Sequence, residues 1–237
     1  RGEVSQPMID QAVSFIEQLN AQRDTPEAQT LPIASEAAFT VREHIRCVER
    51  RVQRLIAIDP TTITDSDTAD FIKDDLSGIW RYTVEVVRES AWVHGVSLDE
   101  EIAQVDRRLS PSDFGFHNAI QQADGTLKFI DFEYAGWDDP AKLICDFFCQ
   151  PQVPVEMHFY DAFVQGITST LTDAGWHAQR IRLLQPIYRV KWCCIVLNQL
   201  LPVGMARRQF AEAQDKADAS AARKQLDLAR QLLNAHH

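Results

Sequence analysis

Apolar side chains recur at intervals of three and four residues along most of the chain, which is the spacing of an amphipathic helix. Over 8–20 they form one face, made of Ile9, Ala12, Val13, Ile16 and Leu19. A longer stripe follows from Ala38 to Leu55. For this second helix we predict Ser35 as the N-cap and Asp59-Pro60 as the end, because serine caps helices and proline interrupts them.

The same spacing predicts further helices, separated by polar or proline-containing segments. One is expected from Ser66 or Asp67 to about Trp92, and a short one near Leu98–Val105. Beyond residue 135 we expect helices at Pro140–Cys149, Val155–Thr172, Ala178–Leu200 and Ala206–Ala235. Pro186 should kink or start the third of these, since proline removes a helical hydrogen bond. The chain is therefore expected to be predominantly helical.

One short segment breaks the helical pattern and is typical of a β-hairpin. Asp124-Gly125 favours a two-residue turn, in which both positions tolerate positive φ. With that turn Phe129 would lie opposite Ile120, and Asp131 opposite Asn118, so that the last two side chains share one face. An amide oxygen and a carboxylate so placed suit a hard cation such as magnesium. Asp113, five residues before Asn118, is left to act as a base.

The segment from Ser110 to Asp146 resembles the C-terminal lobe of the aminoglycoside phosphotransferase and choline kinase superfamily. Members typically carry His-Gly-Asp-x-His-x-x-Asn, then a hairpin, then Ile-Asp-Phe-Glu-Tyr or a relative. Asp113 and Asn118 keep the interval of the first motif, while the second is matched by Ile130-Asp131-Phe132-Glu133-Tyr134. The first motif departs at three positions: Pro111 and Ser112 replace the leading His and Gly, and Gly115 replaces the internal His.

This resemblance implies an α+β, predominantly α-helical fold: a protein-kinase-like C-terminal lobe with a catalytic β-hairpin. It divides 1–237 into a helical bundle over 1–109, a catalytic loop and metal hairpin over 110–134, and a helical C-terminal part over 135–237. The N-terminal β-lobe of such kinases is not found, because the sequence has no Gly-x-Gly-x-x-Gly and no lysine before Lys73. The nucleotide-binding residues of that lobe are therefore unknown.

Three origins of the missing lobe stay open: a truncated chain, a proteolytic fragment, or a natural single-lobe protein. The first residue is Arg1 rather than Met, so we expect the gene product to extend upstream.

The resemblance also implies an activity, namely ATP- and Mg-dependent transfer of a γ-phosphoryl group to a hydroxyl of a small molecule. Asp113 would be the catalytic residue that accepts or orients the hydroxyl proton, and Asn118 and Asp131 would hold the magnesium. Aminoglycosides, choline or ethanolamine, sugars and related metabolites are all candidate acceptors. Whether the chain is active on its own is left open.

Two alternatives from other classes compete with a kinase. One is a non-catalytic binding or interaction module that keeps the kinase C-lobe fold. The other is a metal-dependent phosphate hydrolase that uses the same three residues. Among their neighbours, His117 and Trp137 are expected to be structural, and Asp139-Pro140 is expected to start a helix. Glu133 and Asp138 are expected either to attract a cationic substrate or to cap a helix. Asp146 is expected to brace the catalytic loop.

The composition limits the classes of partner that this chain is expected to bind. A formal charge of −10 argues against nucleic acid, whose phosphates would be repelled, and is compatible with a cationic small substrate. The five cysteines lack a Cys-x-x-Cys pattern, so reduced, buried thiols in the cytoplasm are expected. No apolar run approaches the ~18–20 residues that cross a membrane, and no signal peptide is visible. The oligomeric state is left open.

Overall fold

The computed structural model describes residues 3–63, 65–198 and 219–234. In these ranges the α-helices are α1 (Gln6–Asn20), α2 (Pro26–Gln29), α3 (Val41–Ile56), α4 (Ser66–Asp70), α5 (Leu76–Val93), α6 (Pro140–Cys149), α7 (Tyr160–Thr168), α8 (Ala174–Leu197) and α9 (Ala219–Asn234). The strands are short: β1 (Arg108–Ser110), β2 (Ala119–Gln121), β3 (Leu127–Phe129) and β4 (Gly136–Asp138). The expectation of a predominantly helical protein with a few strands is confirmed.

The chain divides into two compact units. The first comprises Arg1–Glu43 and Val96–Gln185 and contains α1, α2, the four strands, α6 and α7. The second comprises His44–Gly95 and Pro186–His237 and contains α4, α5 and α9. Every residue predicted to carry chemistry belongs to the first unit.

In the first unit, two antiparallel strand pairs flank the predicted catalytic loop. β1 pairs with β4, with Leu109 opposite Trp137, and β2 pairs with β3 in the hairpin. A loop segment lies along β4: Trp137 N donates to Pro32 O, and Ala34 N donates to Trp137 O, both at 2.9 Å. Gly136 is required at this crossing, because a Cβ there would lie 2.3 Å from Pro32 O. No local pattern in the sequence indicated the pairing of β1 with β4.

The core of the first unit is a cluster of phenylalanine rings around Phe147, which is fully buried on α6. Its ring stacks on Phe163 of α7 at a centroid distance of 4.4 Å. Phe114 and Phe116 from the catalytic loop contact the same ring at 5.3 and 5.2 Å. Aromatic pairs at these separations add to the free energy gained from burial. The loop is thus attached to the helical core on both sides of Gly115.

The second unit is a helical cluster. α4 continues through a π-helical turn at Phe71–Asp75 into α5, so the predicted helix from about residue 66 to Trp92 is confirmed, with Asp65 as its N-cap. Leu55, Leu76 and Val87 are buried within this unit. Tyr188 OH lies 2.7 Å from His44 Nδ1, which gives these two buried polar side chains a common hydrogen bond.

Several predicted helix boundaries were wrong. α3 begins at Val41 rather than after Ser35, because Thr40 and Glu43 form a capping box: Thr40 Oγ1 accepts from Glu43 N, and a Glu43 carboxylate oxygen accepts from Thr40 N. The segment Leu98–Val105 is not a helix and ends in a 3-10 turn at Gln104–Asp106. Its backbone is anchored instead by Ile102 N, which donates to Phe39 O at 3.0 Å.

The later helices agree better with the sequence. α6 has the predicted bounds, Pro140–Cys149. α7 ends at Thr168, four residues earlier than expected, and is preceded by a 3-10 turn at Met157–Phe159. Pro186 lies inside α8 rather than at its start. Of the helix predicted at Ala206–Ala235, α9 covers the part from residue 219, and 206–218 lie outside the described residues.

All five cysteines are buried and none forms a disulfide, as their spacing predicted. Burial raises the pKa of Cys145 and Cys193 well above the usual value, so neither is a reactive thiolate. In the described ranges, no helix has both the length and the apolar character needed to span a membrane.

Candidate functional site

The predicted catalytic loop lies between β1 and β2, and alternation of burial along it orients its side chains. Phe114 and Phe116 are 2% and 5% exposed and point into the aromatic core. Asp113 precedes them, and its side chain is 43% exposed. A 3-10 turn at Phe116–Asn118 then leads directly into β2. The loop therefore presents a carboxylate to solvent from a backbone held by two buried rings.

The side chains of His117 and Asn118 both fold back onto Asp113. His117 Nε2 lies 3.1 Å from Asp113 Oδ1. Asn118 Nδ2 donates to the backbone oxygen of Asp113 at 2.9 Å and to Oδ2 at 3.3 Å. The sequence had indicated no partner for His117, whereas the structure gives it one. Asp113 and Asn118 are therefore in direct contact.

The hairpin register predicted from the sequence was wrong by one residue. Ala119, rather than Ile120, lies opposite Phe129, and Ile130 N donates to Asn118 O at 2.9 Å. The reason is a three-residue loop, closed by Gln122 N donating to Thr126 O at 2.8 Å. Gly125 takes the left-handed φ of +87° that such a loop needs, and Asp124 Oδ1 accepts from Thr126 N.

Asp131 consequently does not lie opposite Asn118 but follows the residue that does. Its φ is +67°, a left-handed conformation that is uncommon for a residue other than glycine. The carboxylate is exposed, and the described residues offer it no hydrogen-bond partner. Ser112, on the other side of the site, has a φ of +69°. Of the three non-glycine residues with positive φ in the described ranges, two therefore flank the site, where backbone strain is often found.

An amide oxygen and a carboxylate are donor types that suit magnesium held jointly with phosphate oxygens. Because Asn118 Nδ2 is bound to Asp113, its Oδ1 is the oxygen left to face a cation, and Asp131 supplies a carboxylate. Magnesium is usually bound by one or two carboxylates together with substrate phosphates and water. In the described part of the chain, no group of three or more His, Cys, Asp or Glu side chains is placed to hold a metal ion by itself. Asn118 and Asp131 remain the predicted ligands.

A buried ion pair supports the loop from behind, and sequence reasoning missed it. Lys142 Nζ, on α6, lies 2.6 Å from Asp138 Oδ2 and 2.8 Å from Ser112 Oγ. Burial alone would lower the pKa of Lys142, but the charges of Asp138 and Asp146 outweigh it and hold the pKa above its usual value. Lys142 is thus a charged group bound to the residue before Asp113. A lysine in the apolar run Pro140–Cys149 was the signal that could have found it.

Two of the remaining predicted neighbours, Asp139 and Trp137, have structural partners. Asp139 caps α6, accepting from Ala141 N at 2.7 Å, and forms a buried ion pair with Arg180 at 2.5 Å. Trp137 Nε1 donates to Ala28 O at 3.1 Å, consistent with packing. Asp146 is buried, and Glu133 is exposed two residues beyond Asp131.

Comparison with solved structures identifies the fold. Choline kinase LicA from Streptococcus pneumoniae superposes with a TM-score of 0.50 at 13% identity, covering 96% of this chain and 63% of that one. An ethanolamine kinase from Plasmodium vivax gives a TM-score of 0.46 at 13% identity, covering 94% of this chain and 59% of that one. The chain thus spans about three-fifths of the length of these structures.

No protein-family model and no curated protein matches the sequence. At 13% identity, the likeness to choline kinase is evidence of the fold alone. The chain has a choline-kinase-like kinase fold.

Proposed function

We propose that this chain is the acceptor-side lobe of an ATP- and Mg-dependent phosphotransferase that moves a γ-phosphoryl group to a hydroxyl of a small molecule. One observation carries the proposal: on a choline-kinase-like fold, an exposed Asp113 carboxylate is held by the side chains of His117 and Asn118. Positioning and electrostatic stabilisation supply most of the catalysis of phosphoryl transfer, so a fixed carboxylate is the feature that the reaction needs.

Each site residue has a role in this reaction. Asp113 accepts or orients the proton of the acceptor hydroxyl as its oxygen attacks the phosphorus atom. Asn118 Oδ1 and the Asp131 carboxylate would hold the magnesium ion. When bound, that ion neutralises charge on the nucleotide phosphates. The left-handed backbone at Asp131 turns the chain directly after β3 and leaves its carboxylate exposed.

The acceptor is proposed as an alcohol, and a cationic one suits the charge of the chain. The net charge is −10, and Glu133 adds an exposed carboxylate near Asp131. Choline, ethanolamine, aminoglycosides and sugars are therefore the acceptors to screen. A non-catalytic binding module with the same fold is the second candidate.

Calorimetry of ATP binding to this chain, with and without magnesium, tests the first step. Asp131→Asn is the informative variant, because asparagine tolerates the left-handed φ while the negative charge is removed. We expect binding to require magnesium and to weaken on the order of tenfold or more in Asp131→Asn. Asp161→Asn is the matched control, since Asp161 is an exposed acid elsewhere in the same unit, and it should leave binding unchanged.

Transfer is then measured with the acceptor screen, and Asp113→Asn should lower kcat by about 10²- to 10⁴-fold. Phosphate release without any acceptor would indicate a hydrolase instead. No binding of magnesium and ATP at millimolar concentration would refute the kinase proposal for this chain and favour the binding module.

A further inference from the structure

Gly115 packs directly against the imidazole of His117, which leaves no room for a side chain at position 115. A Cβ built on Gly115 would lie 2.6 Å from His117 Nδ1 and 2.8 Å from Cε1. Gly115 has a φ of 174°, extended backbone that any residue can adopt, so no backbone reason requires glycine here. The glycine is required because the ring packs directly against the main chain.

The imidazole is also fixed at its other end. The His117 side chain is 4% exposed, and its Nε2 lies 3.1 Å from Asp113 Oδ1. The neighbouring residues Phe114 and Phe116 hold the backbone on either side of Gly115 to the aromatic core. The ring therefore cannot swing away without exposing itself or disturbing that core.

Asn118 holds the carboxylate of Asp113 less firmly than His117 does. Asn118 Nδ2 reaches Asp113 Oδ2 at 3.3 Å, near the limit of a hydrogen bond, and its shorter contact is to the backbone oxygen. The Asp113 side chain is 43% exposed, so solvent does not restrict its rotamer. Of the contacts that His117 and Asn118 make with this carboxylate, the one from His117 is therefore the shorter.

We propose that His117 is a positioning residue for Asp113, and that Gly115 is present to make room for its ring. Nε2–H donates to Asp113 Oδ1, which leaves Oδ2 to face the acceptor. This inference rests on the proposed phosphoryl transfer. In the step, the bond between the acceptor oxygen and the γ-phosphorus forms, and the bond from that phosphorus to the β,γ-bridging oxygen of ATP breaks. The hydroxyl proton passes to Asp113, and the imidazole neither gains nor loses one.

Glutamine and asparagine at position 117 separate this role from simple packing. The amide nitrogen of glutamine lies as far along the side chain as Nε2 of histidine, whereas that of asparagine corresponds to Nδ1. We expect His117→Ala and His117→Asn to lower kcat by about 10- to 100-fold and His117→Gln to restore most of it. The KM for ATP should stay within about twofold, because His117 acts on the base and not on the nucleotide.

A double-mutant cycle of Gly115→Ala and His117→Ala, measured by both Tm and kcat, tests this inference. The kcat is expressed per ATP-binding site counted by calorimetry, which removes the contribution of misfolded protein. Gly115→Ala alone should lower Tm by at least about 2 °C and lower kcat as His117→Ala does. In the His117→Ala background it should do neither, because the next neighbour, Gln150 Cγ, lies at 3.4 Å.

Each outcome decides a different claim. Additive effects of the two substitutions on Tm would show that the ring does not pack on Gly115, and would overturn the inference. Coupled effects on Tm, with transfer at the wild-type rate in His117→Ala, would overturn the positioning role. If the wild-type protein transfers no phosphoryl group while the Tm coupling is present, the proposed function fails and takes the positioning role with it, and only the packing of the ring survives.

Discussion

Replacing Lys142 with methionine should destabilise the protein by about 3–5 kcal/mol, the cost of removing one partner of a buried ion pair. The side chains of Lys142 and Asp138 are 2% and 0% exposed, and their charged atoms are 2.6 Å apart. Methionine keeps the length and most of the volume of lysine, so the loss is chiefly one of charge. It leaves the Asp138 carboxylate buried with the backbone N–H of Asp139, at 2.9 Å, as a remaining partner.

Thermal unfolding followed by circular dichroism at pH 7 measures this cost. For a chain of this size, each kcal/mol shifts Tm by about 2–4 °C, so we expect a fall of about 6–20 °C. Arg182→Met is the control, because Arg182 and its partner Asp161 are 61% and 82% exposed. An exposed pair contributes at most about 1 kcal/mol. The control should therefore leave Tm nearly unchanged.

A second variant separates an unpaired charge from lost packing. Combining Asp138→Leu with Lys142→Met removes both charges and should recover much of the stability lost by Lys142→Met alone. If Lys142→Met shifts Tm no more than Arg182→Met does, the pair is not the buried interaction described here. If the double variant is less stable than Lys142→Met, the cost comes from packing, and the electrostatic reasoning is refuted.

Three further changes test other parts of the first unit. Gly136→Ala should cost about 1–3 kcal/mol, seen as a lower Tm, because the new Cβ would collide with Pro32 O at 2.3 Å. Phe147→Ala should cost about 3–5 kcal/mol in urea unfolding, since this fully buried ring contacts four other rings. The pKa of Lys142 is raised in the folded protein. The stability that this contributes is complete below the pKa of the unfolded state, about 10.4, and is lost as pH rises through the pKa of the folded state. Wild type should therefore lose more stability than Lys142→Met above about pH 10.4.

Local sequence signals were reliable where the deciding contacts are also local. Asp139-Pro140 predicted the start of α6, and Asp139 does cap it through Ala141 N. α3 shows the opposite case: its apolar stripe extends back to Ala38, yet the helix begins at Val41 because Thr40 and Glu43 cap it. Periodicity therefore located the helix, but capping chemistry decided where it begins.

The β-hairpin was predicted correctly, but the register of its two strands was not. Asp124-Gly125 is compatible with two-residue and three-residue loops, and only the bond from Gln122 N to Thr126 O selects the longer one. A shift of one residue moves every side chain to the other face of a strand. The prediction that Asp131 lies opposite Asn118 was wrong for this reason.

The site was predicted in part, for a physical reason. Asp113 and Asn118 are five residues apart, and the backbone alone brings them together. Lys142 reaches Ser112 only because α6 packs behind the loop, a contact between residues 30 positions apart that no local pattern encodes. The same holds for the segment at Pro32, which crosses β4 through contacts over about a hundred residues.

The close approach of Gly115 to the His117 ring restricts how this loop can evolve. A histidine at position 115 cannot coexist with the present ring position of His117, since even a single carbon there would lie 2.6 Å from it. A side chain at position 115 can therefore be gained only together with, or after, the loss or displacement of the His117 ring, and that change removes the contact of the ring with Asp113.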